Sequence, residues 1–230
     1  MRAIVIEKFG GPECLVYKEL PEPIAGQVVI KVKAFGINHA EMHMRRGEWA
    51  EAAEVSGIEC VGLVKAGPGG EFPVGAKVAA LMGGLGRTIN GSYAECTRAP
   101  ALNVALIESN LPWEELAAIP ETYATAWTCL FRNLEIAQGQ TLVIRGATSS
   151  FGRAAINLAV NAEVRVIATT RNRERFAVLE KLGADRVELE GPGLSQRIAE
   201  AKQIFEEIRE AHRVMEANEA HGKMVVVVDA

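Results

Sequence analysis

One stretch of sequence decides the fold: Thr141-Leu-Val-Ile-Arg145, then Gly146-Ala-Thr-Ser-Ser-Phe-Gly152, then Arg153-Ala-Ala-Ile-Asn-Leu-Ala159. The first part is a short apolar run with β-branched residues, which predicts a buried strand. The middle consists mostly of small residues and predicts a tight turn, and the last part predicts an Ala-rich helix. This order gathers free backbone N–H groups and the positive end of a helix at one point, which suits a diphosphate.

The glycine pattern of this turn is incomplete. The usual dinucleotide fingerprint is Gly-x-Gly-x-x-Gly, and here only its last glycine is in register, as Gly152. Ser149 and Ser150 occupy the positions that a diphosphate approaches, where their hydroxyl groups offer hydrogen bonds at some cost in clearance. An ordinary strand-to-helix turn fits the same pattern, so the turn alone does not decide the function.

The residues after the next predicted strand, 164–170, indicate the coenzyme. NAD sites use an Asp or Glu at this strand end to accept a hydrogen bond from the adenosine ribose. Here Thr170 is followed by Arg171, Arg173 and Arg175. Guanidinium groups bind phosphate in a bidentate manner, so the pattern predicts the 2′-phosphate of NADP(H). The alternative is a solvated basic helix start, which the helix dipole disfavours.

The composition is that of an ordinary soluble globular protein. With 49% hydrophobic and 23% charged residues among 230, the chain has room for one large domain or two small ones. Its net charge of −4 argues against nucleic acid or an anionic membrane as the main partner. No apolar run is long enough to span a bilayer, and the first residues are expected to form a strand and not a signal peptide. The scattered cysteines predict reduced thiols in a cytoplasmic protein, without a metal site.

The chain divides into two patterns. Residues 1 to about 107 form many short β-type segments between Gly/Pro turns, which predicts a barrel or sandwich. From residue 112 onward helical and strand patterns alternate, which predicts an α/β domain. The linker Gly191-Pro192-Gly193 follows the third strand of that domain, at 185–189. Beyond it the sequence predicts a helix over 194–220 and a buried strand over 224–228.

Several motifs carry a family resemblance. They are Gly36-Ile-Asn-His-Ala-Glu41, Gly57-Ile-Glu-Cys-Val-Gly62, Gly91-Ser-Tyr-Ala-Glu95, Thr125-Ala-Trp127 and Gly146-Ala-Thr-Ser-Ser-Phe-Gly152. In this order they resemble the zinc-independent quinone oxidoreductases of the medium-chain dehydrogenase/reductase superfamily. The resemblance covers most of residues 1–190 and again about 205–228.

The resemblance implies a fold of the class α/β plus β. A GroES-like β-barrel domain would span residues 1–120 and be completed by 205–230. A truncated, half Rossmann coenzyme-binding domain would span 121–192, with 193–204 as linker and helix start. The second βαβαβ half of the Rossmann fold is missing, because the linker leads from the third strand directly to a segment like the family's closing helix.

The resemblance also implies roles for single residues. The amide of Asn38 would face the nicotinamide and the substrate, and Thr125 would lie near the nicotinamide. The diphosphate turn and the 2′-phosphate site would use the remaining cofactor-binding residues, which are Ser149, Ser150, Phe151, Gly152, Thr170, Arg171 and Arg175. The zinc-dependent branch would need Cys near Asn38 and His in place of Ile58, and this chain has neither.

Histidine and glutamate side chains near Asn38 are the candidates for proton chemistry. His43 stands where relatives often place a tyrosine that faces the cleft, and an imidazole there would give a proton to a reduced quinone or enolate. The competing interpretation is a surface or hydrogen-bonding histidine, which occurs more often. Glu41 and Glu59 are expected to anchor turns by hydrogen bonds and not to act as acids.

The sequence therefore predicts an NADPH-dependent reductase of a quinone or an α,β-unsaturated carbonyl, with hydride transfer that needs no zinc. The alternative is a non-catalytic protein derived from this family, which senses NADP(H) or serves as a dimeric interaction module. A homodimer is predicted in either case. Without a fourth parallel strand, residues 142–145 would form an apolar sheet edge that a second chain must cover.

Overall fold

The computed structural model describes residues 1–24, 26–198 and 227–228. Its contacts divide the chain into two units, Met1–Glu121 and Thr122–Ala230. This boundary lies one residue from the predicted end of the first domain at 120. Each unit has its own hydrophobic clusters.

The first unit is built from antiparallel strands. Strands β1 (Arg2–Ile6) and β2 (Leu15–Glu19) form a hairpin. A five-stranded sheet has the order β6-β3-β4-β5-β7. Its members are β3 (Val28–Ala34), β4 (Glu59–Ala66), β5 (Lys77–Leu81), β6 (Cys96–Ala99) and β7 (Val104–Leu106). This arrangement is the GroES-like domain that the sequence predicted.

Alternation along the strands explains how this sheet packs. In β3, the first three residues, Val28 to Ile30, are all buried. Alternation begins after them, where the exposed Lys31 and Lys33 flank the partly buried Val32, because successive side chains point to opposite faces. Val28 and Ile30 join buried side chains of the neighbouring strands in one apolar cluster. Two short helices accompany the sheet, α1 (His39–Arg45) and α2 (Trp113–Leu116).

The second unit is an α/β layer structure. Helix α3 (Pro120–Trp127) crosses the boundary and continues as a π-helical turn, Thr128–Asn133. The elements that follow are β8 (Thr141–Ile144), α4 (Ser150–Asn161), β9 (Arg165–Thr170), α5 (Phe176–Lys181), β10 (Arg186–Leu189), α6 (Leu194–Arg197) and β11 (Val227–Val228). The sheet order is β10-β9-β8-β11, and β10, β9 and β8 are parallel. Third, second and first strands in this order form the predicted half of a Rossmann fold.

Small side chains bring α4 close to the sheet. Ala155 and Ala159 are buried in the cluster that also contains Leu142 and Val166. Their short side chains keep the helix axis near the strands, so the helix N-terminus lies directly after the end of β8.

The free edge predicted for residues 142–145 is wrong at Leu142. Strand β11 pairs antiparallel with Thr141 and Leu142, so the chain covers part of this edge itself. The segment 205–230 was expected to complete the first domain. Its described residues, 227–228, instead extend the sheet of the second unit. The rest of that segment, and most of the helix predicted over 194–220, lie outside the described residues.

The connection after β10 is tied to the sheet by ion pairs. Glu188 accepts hydrogen bonds from Arg186 at 2.7 Å and from Arg197 at 2.9 Å. Helix α6 then places the buried Ile198 against Ile167 of β9. These contacts fix the backbone of residues that follow the end of β10, including Glu190, whose N–H donates to the carbonyl of Thr170 at 2.8 Å.

Gly152→Ala should destabilise the second unit, because the new Cβ would lie 2.6 Å from the Ala147 Cα, a backbone atom that cannot move aside. We expect a loss of about 1–3 kcal/mol in unfolding free energy, as for overpacked sites. Chemical denaturation measures it. Gly26→Ala is the matched control, since nothing lies within 4 Å of its added Cβ. Equal stability of the two variants would contradict the close packing.

Candidate functional site

The turn between β8 and α4 is held by the hydroxyl group of Ser149. This hydroxyl accepts a hydrogen bond from the Gly152 N–H at 3.0 Å and donates one to the Gly146 carbonyl at 2.9 Å. Ser149 is therefore the N-cap of α4, and its hydroxyl stabilises the turn that was predicted to bind the diphosphate. Gly146 has φ +61, a left-handed conformation that glycine adopts without strain.

Backbone N–H groups form an anion cradle at this turn. Within the described part of the chain, the N–H groups of Thr148, Ser150 and Phe151 have no hydrogen-bond acceptor. Ser150 and Phe151 open a twelve-residue helix, so the positive end of its dipole lies at the same place. Gly152 lets the helix start pack against Ala147, as the last glycine of a dinucleotide turn does. These features fit the diphosphate of a dinucleotide.

The side chains of Ser150 and Phe151 differ in exposure. Ser150 is exposed. Phe151 is partly buried and packs against the apolar cluster under α4, so only its N–H faces the cradle.

Two exposed guanidinium groups follow β9 in the sequence. Arg171 and Arg175 are exposed and have no ion-pair partner among the described residues. Arg173 lies 5.9 Å from the Phe176 ring centre in a cation–π contact. Thr170, also predicted to bind the cofactor, is buried, and its hydroxyl accepts a hydrogen bond from the Asn172 N–H at 3.2 Å.

Sequence reasoning missed Glu190. Its carboxylate accepts hydrogen bonds from the Thr169 hydroxyl at 2.6 Å and the Gly146 N–H at 3.1 Å. Arg145 lies 3.5 Å from its other oxygen. The Thr169 hydroxyl, together with the Gly146 N–H and Arg145, lowers the pKa of Glu190 despite partial burial. An ionised carboxylate therefore stands where the three parallel strands end.

In the first unit, the predicted Asn38 amide is held by two carboxylates. Its Nδ2 lies 3.0 Å from Glu59 Oε1 and 3.4 Å from Glu41 Oε1. Glu41 also accepts hydrogen bonds from the backbone N–H groups of Asn38 at 2.6 Å and of Ile58 at 3.2 Å. The amide nitrogen must face these carboxylates, because they accept hydrogen bonds and the amide carbonyl cannot donate one.

Glu41 and Glu59 are both buried, and their role as hydrogen-bond anchors is confirmed. Burial raises the pKa of each carboxyl. The hydrogen bonds that they accept oppose this shift. Glu59 also accepts the N–H of Glu121 at 2.8 Å, so it links Asn38 to the first turn of α3.

His43 is paired with an acidic side chain. Its Nδ1 contacts Glu48, and its ring lies parallel to that of Trp49 with the ring centres 6.4 Å apart. The hydrogen bond from His43 lowers the pKa of Glu48. This arrangement orients the imidazole and, in the described structure, leaves its Nε2 without a partner.

Thr125 lies on the exposed side of α3. The candidate residues thus occur in both units, with Asn38 and His43 in the first and Thr125 with the nucleotide turn in the second. In the described ranges, no three His, Cys, Asp or Glu side chains gather in a way that would hold a metal ion. None of the described helices is long and apolar enough to cross a membrane.

Glu59→Gln should lower the unfolding free energy by about 1–3 kcal/mol, the cost of leaving a buried donor unpaired. A glutamine presents only one carbonyl oxygen to the two donors, which are Asn38 Nδ2 and the Glu121 N–H. Urea denaturation at pH 7 measures the change. The control is Glu54→Gln, an exposed position, which should stay within about 0.5 kcal/mol of the wild type.

The same pair of proteins gives a pH test. The raised pKa of Glu59 means that the native state binds its proton at a higher pH than the unfolded chain does. The stability of the wild type relative to Glu59→Gln should therefore increase as the pH falls from 7 toward the ordinary carboxyl value of 4.5. A difference that shrinks over this range would contradict the assignment.

Comparison with known proteins agrees with this architecture. Residues 24–109 match the alcohol dehydrogenase GroES-like domain family. The quinone oxidoreductase of Lama guanicoe is 30% identical over 197 residues, which make up 81% of this chain and 58% of that protein. A mycobacterial protein solved in complex with NADPH has a TM-score of 0.76 and 27% identity, covering 87% of this chain and 63% of that one. An NAD-dependent alcohol dehydrogenase has a TM-score of 0.80 and 30% identity, covering 88% and 68%.

The match is partial in length. The chain spans less than two thirds of the quinone oxidoreductase from L. guanicoe, and the shared region includes both the GroES-like domain and the first part of the coenzyme-binding domain. The chain belongs to the medium-chain dehydrogenase/reductase superfamily, and quinone oxidoreductases are among the proteins that it resembles.

Proposed function

We propose that the chain is an NADP(H)-dependent oxidoreductase that reduces a quinone or an α,β-unsaturated carbonyl without zinc. The observation that supports this most is the cradle after β8, where the open N–H groups of Ser150 and Phe151 meet the start of α4. A diphosphate suits this place because helix N-termini stabilise anions. The relatives agree in class, since they include quinone oxidoreductases and a protein complexed with NADPH.

Phosphate binding is proposed for two parts of the second unit. The N–H groups of the turn would hold the diphosphate, and Arg171 with Arg175 would hold the 2′-phosphate. Both arginines are exposed and have no ion-pair partner in the described structure, so phosphate binding would not require an existing ion pair to be broken. Thr170 would act indirectly, because its buried hydroxyl fixes the backbone from which Arg171 extends.

Orientation of the reactants is proposed for Asn38 and Thr125. The bound coenzyme would supply the hydride. Glu41 and Glu59 hold the Asn38 amide in one orientation, which lowers the entropy cost of using it to position a ring or carbonyl. Thr125, on the exposed side of α3, would lie near the nicotinamide as the family resemblance implies.

Proton supply is proposed for His43. A quinone or enone that accepts a hydride becomes an anion and needs one proton to give the neutral product. The Glu48 carboxylate contacts Nδ1 and so orients the imidazole, and Nε2 is the nitrogen that would release the proton.

Zinc-independent chemistry is proposed on the basis of residue types. At the position where the zinc-dependent branch would need histidine, this chain has the buried Ile58, which cannot bind a metal. The Asn38 amide is held by two carboxylates in the same region.

Assembly and location are part of the proposal. A homodimer would cover the part of the β8 edge that β11 leaves open, since β11 pairs only with Thr141 and Leu142. The four cysteines are free thiols, which fits a reducing cytoplasmic compartment.

The second candidate is a non-catalytic NADP(H)-sensing or dimeric interaction protein. One observation favours it: the strand beside β8 is the antiparallel β11, and in the described residues no second parallel half follows β10. In a complete Rossmann fold that second half adjoins the crevice that binds the dinucleotide.

Titration of the protein with NADPH, followed by fluorescence, and then NADPH oxidation with a simple quinone separates the two candidates. We expect saturable binding and quinone-dependent oxidation, with no loss of rate on treatment with a zinc chelator. Binding without turnover selects the sensing protein. Failure to bind either NADPH or NADH would refute both nucleotide proposals.

Replacement of Arg171 and Arg175 by alanine tests the 2′-phosphate assignment. Loss of two charge-assisted contacts should weaken NADPH by about a hundredfold and NADH by only a few-fold. Isothermal titration measures both affinities. A double variant of Arg98 and Arg132, two exposed arginines outside the proposed site, changes the net charge equally and should leave both affinities unchanged. Equal weakening of NADPH and NADH in the test variant would exclude the assignment.

A further inference from the structure

The Glu190 carboxylate joins the ends of three parallel strands. It follows β10, accepts from Thr169 of β9 at 2.6 Å, and accepts from Gly146, just after β8, at 3.1 Å. Its side chain is 15% exposed, so it is fixed but still reachable from outside. In parallel sheets, ligands bind at this end of the strands.

We propose that Glu190 sets the coenzyme preference by accepting a hydroxyl group of the adenosine ribose, in place of the acidic residue that NAD sites carry at the end of the second strand. The proposal rests on the nucleotide site proposed above. It assigns a binding role to a residue on the third strand, and it predicts that the chain accepts NADH as well as NADPH.

The position of the carboxylate supports this role. In a dinucleotide fold, the ribose lies near the start of the turn and the end of the second strand. Glu190 contacts both of these places, through the N–H of Gly146 and the hydroxyl of Thr169. Both of these donors reach Oε1, whereas Oε2 has only Arg145 at 3.5 Å among the described residues, which leaves it free to accept a ribose hydroxyl.

The charge of Glu190 opposes that of the arginines. A ribose with a free 2′-hydroxyl donates a hydrogen bond to the Glu190 carboxylate. A 2′-phosphate cannot donate this bond, and its negative charge is repelled by the carboxylate. Arg171 and Arg175 favour the phosphate. The preference between NADH and NADPH is then the difference between these two effects.

Glu190→Gln tests the proposal, because it keeps the size of the side chain and removes its charge. The probes are AMP and adenosine 2′,5′-bisphosphate, which carry only the adenosine end, together with NADH and NADPH. Isothermal titration measures the ratio of the affinity for 2′-phosphorylated ligands to the affinity for unphosphorylated ones. In the variant this ratio should be about tenfold higher than in the wild type, because one hydrogen bond to a charged group contributes about that factor to affinity. Glu180→Gln, an exposed carboxylate on α5, is the control for net charge and should leave the ratio unchanged.

Thr169→Val is a second variant that removes the buried hydroxyl donor while it retains the carboxylate. It should raise the ratio in the same direction by a smaller factor, because the carboxylate is then held less firmly. A ratio within twofold of the wild type in both variants, or no binding of either adenosine fragment to any of the proteins, would overturn the proposal. A tenfold change without quinone reduction would refute the proposed enzyme and retain the role of Glu190.

Discussion

The close approach of Gly152 to the backbone of Ala147 is the constraint on which the second unit depends. It lets α4 start immediately after β8, and this short connection leaves the first N–H groups of the helix open at the end of the sheet. The hydroxyl of Ser149 then holds the turn from within. Any larger residue at position 152 would separate the helix from the strand, and the anion cradle would lose its geometry.

Charged groups are arranged differently in the two units. In the first unit, the buried carboxylates of Glu41 and Glu59 accept hydrogen bonds from Asn38 and from nearby backbone N–H groups. These bonds fix the side-chain amide of Asn38 in place. In the second unit, the Glu190 carboxylate and the open guanidinium groups of Arg171 and Arg175 lie around the strand ends. Groups of opposite charge favour different members of a coenzyme pair that differs by one phosphate, because the phosphate attracts the guanidinium groups and repels the carboxylate.

Local patterns made much of this architecture predictable. The short β-type segments between Gly/Pro turns predicted the antiparallel strands of the first unit, and the stretch 141–159 predicted the strand, turn and helix of β8 and α4. Contacts between distant residues were not visible in the sequence. Glu190 lies 44 positions from Gly146 in the sequence. Strand β11 pairs with Thr141, although it lies near residue 230. The Ser149 hydroxyl caps α4 through hydrogen bonds that exist only in the folded turn, so the sequence did not indicate this second role.

A crystal structure of the chain with saturating NADPH tests the central claim most directly. The account predicts that the diphosphate lies on the N–H groups of Ser150 and Phe151, with the 2′-phosphate beside Arg171 and Arg175. A diphosphate bound elsewhere, or a turn that stays empty at saturation, would contradict the claim that half of a Rossmann fold is enough to hold the dinucleotide.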